Sequence, residues 1–265
     1  MPLQLIFTSA RQGLVPGRTG FCTVARHRAM PERLAQLLEG LGTPHEGAAG
    51  ATFTFRVLEA AGQRWYVLSR FVARGLDYTQ RDNRLAHHLA FSQEEAAVLP
   101  PPAAVAYRWG QWKDEWTGDP TWLDGETRPL TLKPGPALTP AATWRQVAGT
   151  GAKAAWLVNA QGPSEVALTQ APDTETVLRL LAEAAALLGK SSWTAGFTTD
   201  AAVTGPDGFP WCVGRVPGRT EIDLATAAEQ PAPTGELARA AATGLGPTTP
   251  TGGPAPKRAP KAAQG

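Results

Sequence analysis

Residues 52–71 read "TFTFRVLEAAGQRWYVLSRF", two apolar and aromatic runs hinged on Ala61-Gly62. Alternation places Phe53, Phe55 and Val57 on one face, and a short hinge containing glycine between two such runs predicts a β-hairpin. The fold follows from setting the flanking segments around it. Upstream, Leu3 to Thr8 alternates as a strand, and the Gly-rich turn "GLVPGRTG" (13–20) leads into a second strand, Phe21 to Ala25. "MPERLAQLLEGLG" (30–42) predicts a helix: Pro31 suits its first turn, Leu34, Leu37, Leu38 and Leu41 form one stripe, and Gly42 ends it. Downstream, Arg84 to Phe91 fits a strand, and Ser92 to Glu95 fits a capping box opening a short helix.

The second half changes character. Trp144 to Asn159 is weakly helical and Glu165 to Thr169 is a short strand. "DTETVLRLLAEAAALLGK" (173–190) is the clearest helix, capped by Asp173 or Thr174 and closed by Gly189. Strands are expected at Trp193 to Thr199, Phe209 to Val216 and Thr220 to Leu224. From about Ala228, Pro, Gly, Thr and Ala dominate without periodicity. The expected class is therefore α+β. A β-rich unit with one short helix spans 1–135, a unit of two helices packed on several strands spans 136–227, and a disordered Pro/Gly/Ala-rich tail spans 228–265. Strands clustered in each half, without strict alternation of strand and helix, argue against a doubly wound parallel sheet.

Composition narrows the function classes. The chain has 265 residues, 43% hydrophobic and 18% charged, enough for a sizeable core. A net charge of +2 gives no nucleic-acid footprint. Cys22 and Cys212 supply neither a disulfide framework nor zinc spacing, which points to a reduced, cytoplasmic protein. The N-terminal apolar run is too short for a signal peptide, and no window reaches the length of a membrane span.

Four motifs invite chemistry. "GKSS" (189–192) lacks the glycine that a phosphate loop needs at position 184, which is Ala, and it follows a helix instead of preceding one. In a strand, His87 and His88 point to opposite faces, so they cannot chelate one metal together; a site would need distant ligands such as His27, Cys22 or Asp77. No metal and no cofactor is expected. Cys22 with His87 or His88 and an orienting Asn83 would be a thiol hydrolase, although a lone cysteine in an apolar strand is more often a small core residue. Trp109, Trp112, Trp116 and Trp122, threaded with acidic residues, are a possible ligand-binding cluster that a phosphate backbone would not approach.

Two long segments are familiar in combination. "LIFTSARQGLVPGRTGFCTVARHRAMPERLAQLLEGL" (5–41) and "WYVLSRFVARGLDYTQRDNRLAHHLAF" (65–91) resemble the N-terminal domain, second type, of bacterial GTPase-associated proteins. "WTAGFTTDAAVTGPDGFPWCVGRV" (193–216) and "EIDLA" (221–225) are similar to the family's middle part. Residues 42–51 form a shorter loop than the family pattern, and the tail is unrelated to it. The resemblance implies a component of multi-gene conflict systems, with protein partners encoded nearby and a GTPase as the candidate among them. It also makes Asp77, Tyr78, Arg81, Asn83, His87 and His88 a structural signature cluster. The expected function is a non-enzymatic adaptor or regulator, with the thiol hydrolase and the aromatic ligand sensor as rivals.

Overall fold

The computed structural model describes residues 1–42, 50–123 and 130–245. Strands β1 (Leu3–Ala10) and β2 (Gly20–Arg26) form a hairpin whose connection leads on to helix α1 (Glu32–Leu41). The hairpin of residues 52–71 is β3 (Ala51–Ala60) and β4 (Gln63–Leu76), and β5 (Asp82–Phe91) returns alongside β4. Ala61 and Gly62 sit at φ 53° and 75°, the two left-handed positions of a tight hairpin turn whose twist matches its strands. α2 (Gln93–Val98) begins in the expected capping box, with Ser92 and Glu95 bonding reciprocally. α3 (Pro102–Arg108) and the two-residue strand β6 (Thr121–Trp122) follow.

In the second half come α4 (Ala142–Ala148), a 3₁₀ turn at Gly151–Trp156, and the small hairpin β7 (Val158–Asn159) and β8 (Gly162–Pro163). β9 (Val166–Thr169), α5 (Thr174–Ala186), β10 (Phe197–Thr198) and α6 (Ala201–Thr204) continue the chain. β11 (Trp211–Val213), β12 (Thr220–Asp223) and α7 (Glu236–Thr243) complete it. The class is α+β, as the clustering of strands predicts.

Among the described residues, ten strands make one mixed sheet in the order β12-β9-β11-β10-β3-β4-β5-β1-β2-β6. The middle is antiparallel, while β12, β9, β11 and β10 pair in parallel. Alternation divides the two faces. Phe53, Phe55, Leu68, Leu89 and Phe91 join α3, α4 and α5 in the larger core. Leu5, Phe7, Val67 and Phe71 meet Leu34 and Leu38 of α1 on the other side. Leu34 and Leu38 are fully buried, each worth about 1.5–3 kcal/mol of transfer free energy.

Three details differ from the sequence reading. The first half carries α3 as well as α1 and the capping-box helix α2, because the Ala-rich run after Pro101-Pro102 forms a helix buried against α5. Gly189–Thr194 is a 3₁₀ turn, so the strand expected from Trp193 shortens to Phe197–Thr198. Residues 228–245, assigned to the tail, are described, and they include α7. This helix buries only Ala238, Ala240 and Ala241, and its backbone lies so close that a Cβ on Gly151 would come within 2.8 Å of the Ala241 carbonyl. The rest of the expected tail, 246–265, lies outside the described residues. One sheet runs through both halves, so the boundary proposed at 135/136 separates stretches of chain that share a core.

α4 shows how the second half is fixed. Its N-cap is Ala141, which has no side-chain acceptor. Glu183 of α5 supplies one from across the core: it accepts from Thr143 N–H at 2.8 Å, Thr143 Oγ1 at 2.7 Å and Trp144 N–H at 3.1 Å. Burial raises its pKa, and these donors oppose the rise. Glu183→Ala strands the three donors in a dry site. Urea unfolding should show a loss on the order of 3 kcal/mol.

Candidate functional site

The signature residues gather where the β4–β5 hairpin meets the end of β1. Asp77 builds the turn: its Oδ1 accepts from Thr79 N–H and Thr79 Oγ1, both at 2.6 Å, and from Arg81 N–H at 3.1 Å. Its Oδ2 accepts from Ser9 Oγ at 2.7 Å. Asn83 Oδ1 accepts from Thr8 Oγ1 and Ser9 N–H, each at 3.2 Å, and the Tyr78 hydroxyl accepts from Gly20 N–H at 3.1 Å. Arg81 turns back to donate to Thr79 Oγ1 at 2.8 Å. Two separate pieces of the sequence pattern, Thr8-Ser9 and Asp77 to Asn83, are thus hydrogen-bonded to each other. These donors, led by the Thr79 and Ser9 hydroxyls, hold the Asp77 carboxyl well below the usual range.

His87 and His88 face opposite sides of the sheet, as a strand requires. Both are buried, at 1% and 0% exposure. His87 packs edge-on to Trp109 and Trp112, each ring centroid 5.3 Å away. Its Nδ1 accepts from the Lys113 backbone N–H at 3.1 Å, so Nε2 carries the proton and donates to Gln4 Oε1 at 3.1 Å. Arg70, its neighbour across β4, donates to the Lys113 carbonyl and to Asp114 Oδ1. Two strand side chains therefore clamp the loop that follows α3.

On the other face, His88 Nδ1 lies 2.7 Å from Ser69 Oγ, and Nε2 has no partner among the described residues. Desolvation pushes both imidazoles down to about 3, assisted for His87 by the neighbouring His88 charge and for His88 by Arg56. Both are neutral at physiological pH. A Ser-His pair this deeply buried has no path for a substrate.

Cys22 lies elsewhere. It stands opposite Thr8 on β1, whereas His87 stands opposite Ile6 on the far side of that strand. Two strand spacings and two residues separate the groups, roughly 10 Å or more, too far for a hydrogen bond. The thiol packs with Ile6, Val24 and Leu85, and burial raises its pKa. Cys212 is also buried with a raised pKa, although Arg219 Nη1 lies 3.1 Å from its sulfur. Among the described residues, no group of three His, Cys, Asp or Glu side chains could hold a metal ion.

The four tryptophans split. Trp109 and Trp112 pack at 4.7 Å over His87, and Trp112 Nε1 donates to the Ala106 carbonyl at 2.8 Å. Trp116 packs beside the Cys22 cluster. Trp122 lies under the guanidinium groups of Arg26 and Arg28, 5.0 and 4.7 Å from its ring centroid. They form no single platform.

Sequence reasoning singled out neither Ser69, Gln4, Thr8 nor Ser9 as members of these clusters. Ser69 was within reach, because register from the hairpin sets it opposite His88. Gln4 and the Lys113 backbone were not, since nothing local marks them.

What the fold and this corner define is an α+β domain whose polar signature stitches strands together. Residues 1–129 match the family model described as GTPase-associated protein 1, N-terminal domain type 2. No curated protein and no solved structure matches the chain. The match ends before residues 193–225, whose likeness to the family's middle part stays an expectation.

The neutral histidines set an acid limit. Unfolded, each protonates near its ordinary value of about 6.5; folded, each resists until about 3. The stability they contribute is complete above the unfolded value and declines as pH falls through that window. Asp77, also depressed, adds a loss only below the ordinary carboxylate range of about 3.9. Melting temperature should be level near neutrality and fall from roughly pH 6.5 downward. His87→Gln should flatten the upper part of that fall, and Asp77→Asn only the lowest part.

Cys22 gives a separate measurement. A buried thiol with a raised pKa should react with iodoacetamide far more slowly than free cysteine at neutral pH, and at the free rate once urea unfolds the chain.

Proposed function

We propose that this chain is a non-enzymatic adaptor or regulatory component of a bacterial GTPase-associated defence or conflict system. It works in the cytoplasm through contacts with proteins encoded nearby, a GTPase among them. The family match over residues 1–129 supports the GTPase connection. The observation that carries the reading is the use of the signature residues. Asp77, Tyr78, Asn83, His87 and His88 each bond to a neighbouring strand, turn or loop, and the histidines are neutral and buried. Such a cluster holds a shape, and its pairing of a base with a hydroxyl, His88 with Ser69, is buried away from any substrate.

Gly189-Lys190 follows α5 in a 3₁₀ turn, so it lacks the loop-then-helix order in which backbone N–H groups cradle a phosphate. GTP turnover therefore belongs to the partner. Affinity purification from the native host should recover a GTPase encoded beside this chain, and that enzyme's rate or its effector contacts should change when this chain is removed. The purified chain alone should not turn over GTP. Turnover abolished by Lys190→Ala would overturn the reading.

A further inference from the structure

One end of the sheet leaves large side chains exposed. Val15, Phe21, Leu76 and Tyr78 are 58%, 41%, 59% and 41% exposed. Pairing brings them together: Phe21 lies opposite Ser9, the Asp77 turn is tied to Ser9, and Tyr78 reaches Gly20. Exposed Arg11, Arg18, Arg74 and Arg81 surround them, with the Arg11 guanidinium 5.7 Å from the Tyr78 ring centroid. Residues 10–20 and 73–84 hold five arginines against two aspartates; Asp77 is already spent on its turn, and Arg74 is paired with Glu115 at 2.8 Å. Exposed aromatic, aliphatic and arginine side chains in one place are the composition of a docking face.

The face opens into a cavity of about 140 Å³ between β2 and the polar side of α1, walled by Val15, Arg18 and Phe21. Arg26 reaches into it. Its side chain is only 15% exposed, and its Nε is buried without a partner among the described residues. Its one ion-pair carboxylate there is Glu32, at 2.8 Å, whose own side chain is 69% exposed. Glu39 is taken by the Thr23 hydroxyl at 2.5 Å. Arg26 is thus a nearly buried cation set over the Trp122 ring and paired with a carboxylate that stands mostly in water. Such a half-solvated pair is weak, and a carboxylate arriving on a partner that excludes the water would replace it with a stronger, two-pronged contact.

We propose that this end of the sheet docks an acidic protein segment. A glutamate or aspartate of the partner enters the cavity to meet Arg26 and Arg18 and displaces Glu32, while apolar residues beside it cover Val15 and Phe21. The inference rests on the adaptor reading and names its contact surface. A nucleic acid fits less well: Val15 and Leu76, 58% and 59% exposed, are aliphatic, and apolar side chains of a protein segment cover them where a phosphate backbone cannot.

The opposite signs expected of two exposed residues make the test sharp. A phage-displayed peptide library panned on the full chain should enrich Asp and Glu beside a large apolar residue. With the selected peptide, Arg18→Glu and Phe21→Ser should each weaken binding on the order of tenfold. Glu32→Gln should tighten it several-fold, because the displaced competitor is gone, and melting curves for all three should match the parent. No acidic preference in the selection, weaker binding by Glu32→Gln, or competition by a thymidine oligonucleotide would overturn the proposal. Co-purification with the GTPase that survives Arg18→Glu would sink this surface and leave the adaptor reading standing. Loss with Arg18→Glu and gain with Glu32→Gln would join the two.

Discussion

Within the sheet, the two halves of the chain join through two residue pairs among the described residues. Phe197 lies opposite Phe55 and Thr198 opposite Thr54, and through this antiparallel contact the parallel strands β11, β9 and β12 attach to the hairpin sheet. The joint is reinforced at its end, where Phe53 N–H donates to Thr199 Oγ1 at 2.8 Å and Thr199 N–H donates to the Phe53 carbonyl at 2.9 Å. It also demands a small residue: a Cβ on Gly196 would lie 3.3 Å from both the Phe55 and Gly208 carbonyl oxygens. Two ladder pairs are a weak tether in isolation. What fixes them is the apolar layer behind, where Phe55 meets Trp193 and Phe197, and Phe91 meets Trp193. The joint depends on this core, and the core fills only when both halves contribute.

The polar corner obeys the same logic at lower dielectric. A carboxylate, an amide and two imidazoles are costly inside a sheet unless each is paired. Asp77 and Asn83 meet that condition through hydroxyl and backbone donors, and His87 through Gln4 and Lys113. The histidines meet the other half of it by staying uncharged. His88 leaves Nε2 without a partner, and Arg56 nearby is a desolvated cation stacked on Phe209, 4.4 Å from the ring centroid. The α1 side of the sheet therefore carries more polar strain than the α5 side, where large apolar groups dominate.

Strand pattern and hairpin register were legible because Thr52 to Phe71 alternates cleanly and ends its first run at Ala61-Gly62. The opposed faces of His87 and His88 followed from the same rule. Burial of both was not legible, since it depends on α3 and the Trp112–Asp114 loop on one side and on Phe71 on the other. Helix α7 escaped notice for a physical reason. Its buried stripe is entirely alanine, which carries little hydrophobic signal, and its packing relies on close backbone approach to Gly151. Lys153 shows the same limit. Nothing in "TGAKAAW" announces a lysine that is 2% exposed, yet its Nζ donates to the carbonyls of Ala148, Ala227 and Ala228 and ties α4 to the segment leading to α7.

Stitching and docking are linked through the β4–β5 turn. Tyr78 and Leu76 are exposed on a turn that Asp77 holds with three bonds inside it and one to Ser9, so the exposed side chains stand on a short, pinned loop. Ordering a loose loop on association costs free energy that a pinned one has already spent during folding. A signature that looks catalytic by composition is then better understood as preorganisation. The acid, the amide and the hydroxyls bond to one another and to the backbone, and the aromatic and basic side chains between them stand in one fixed arrangement.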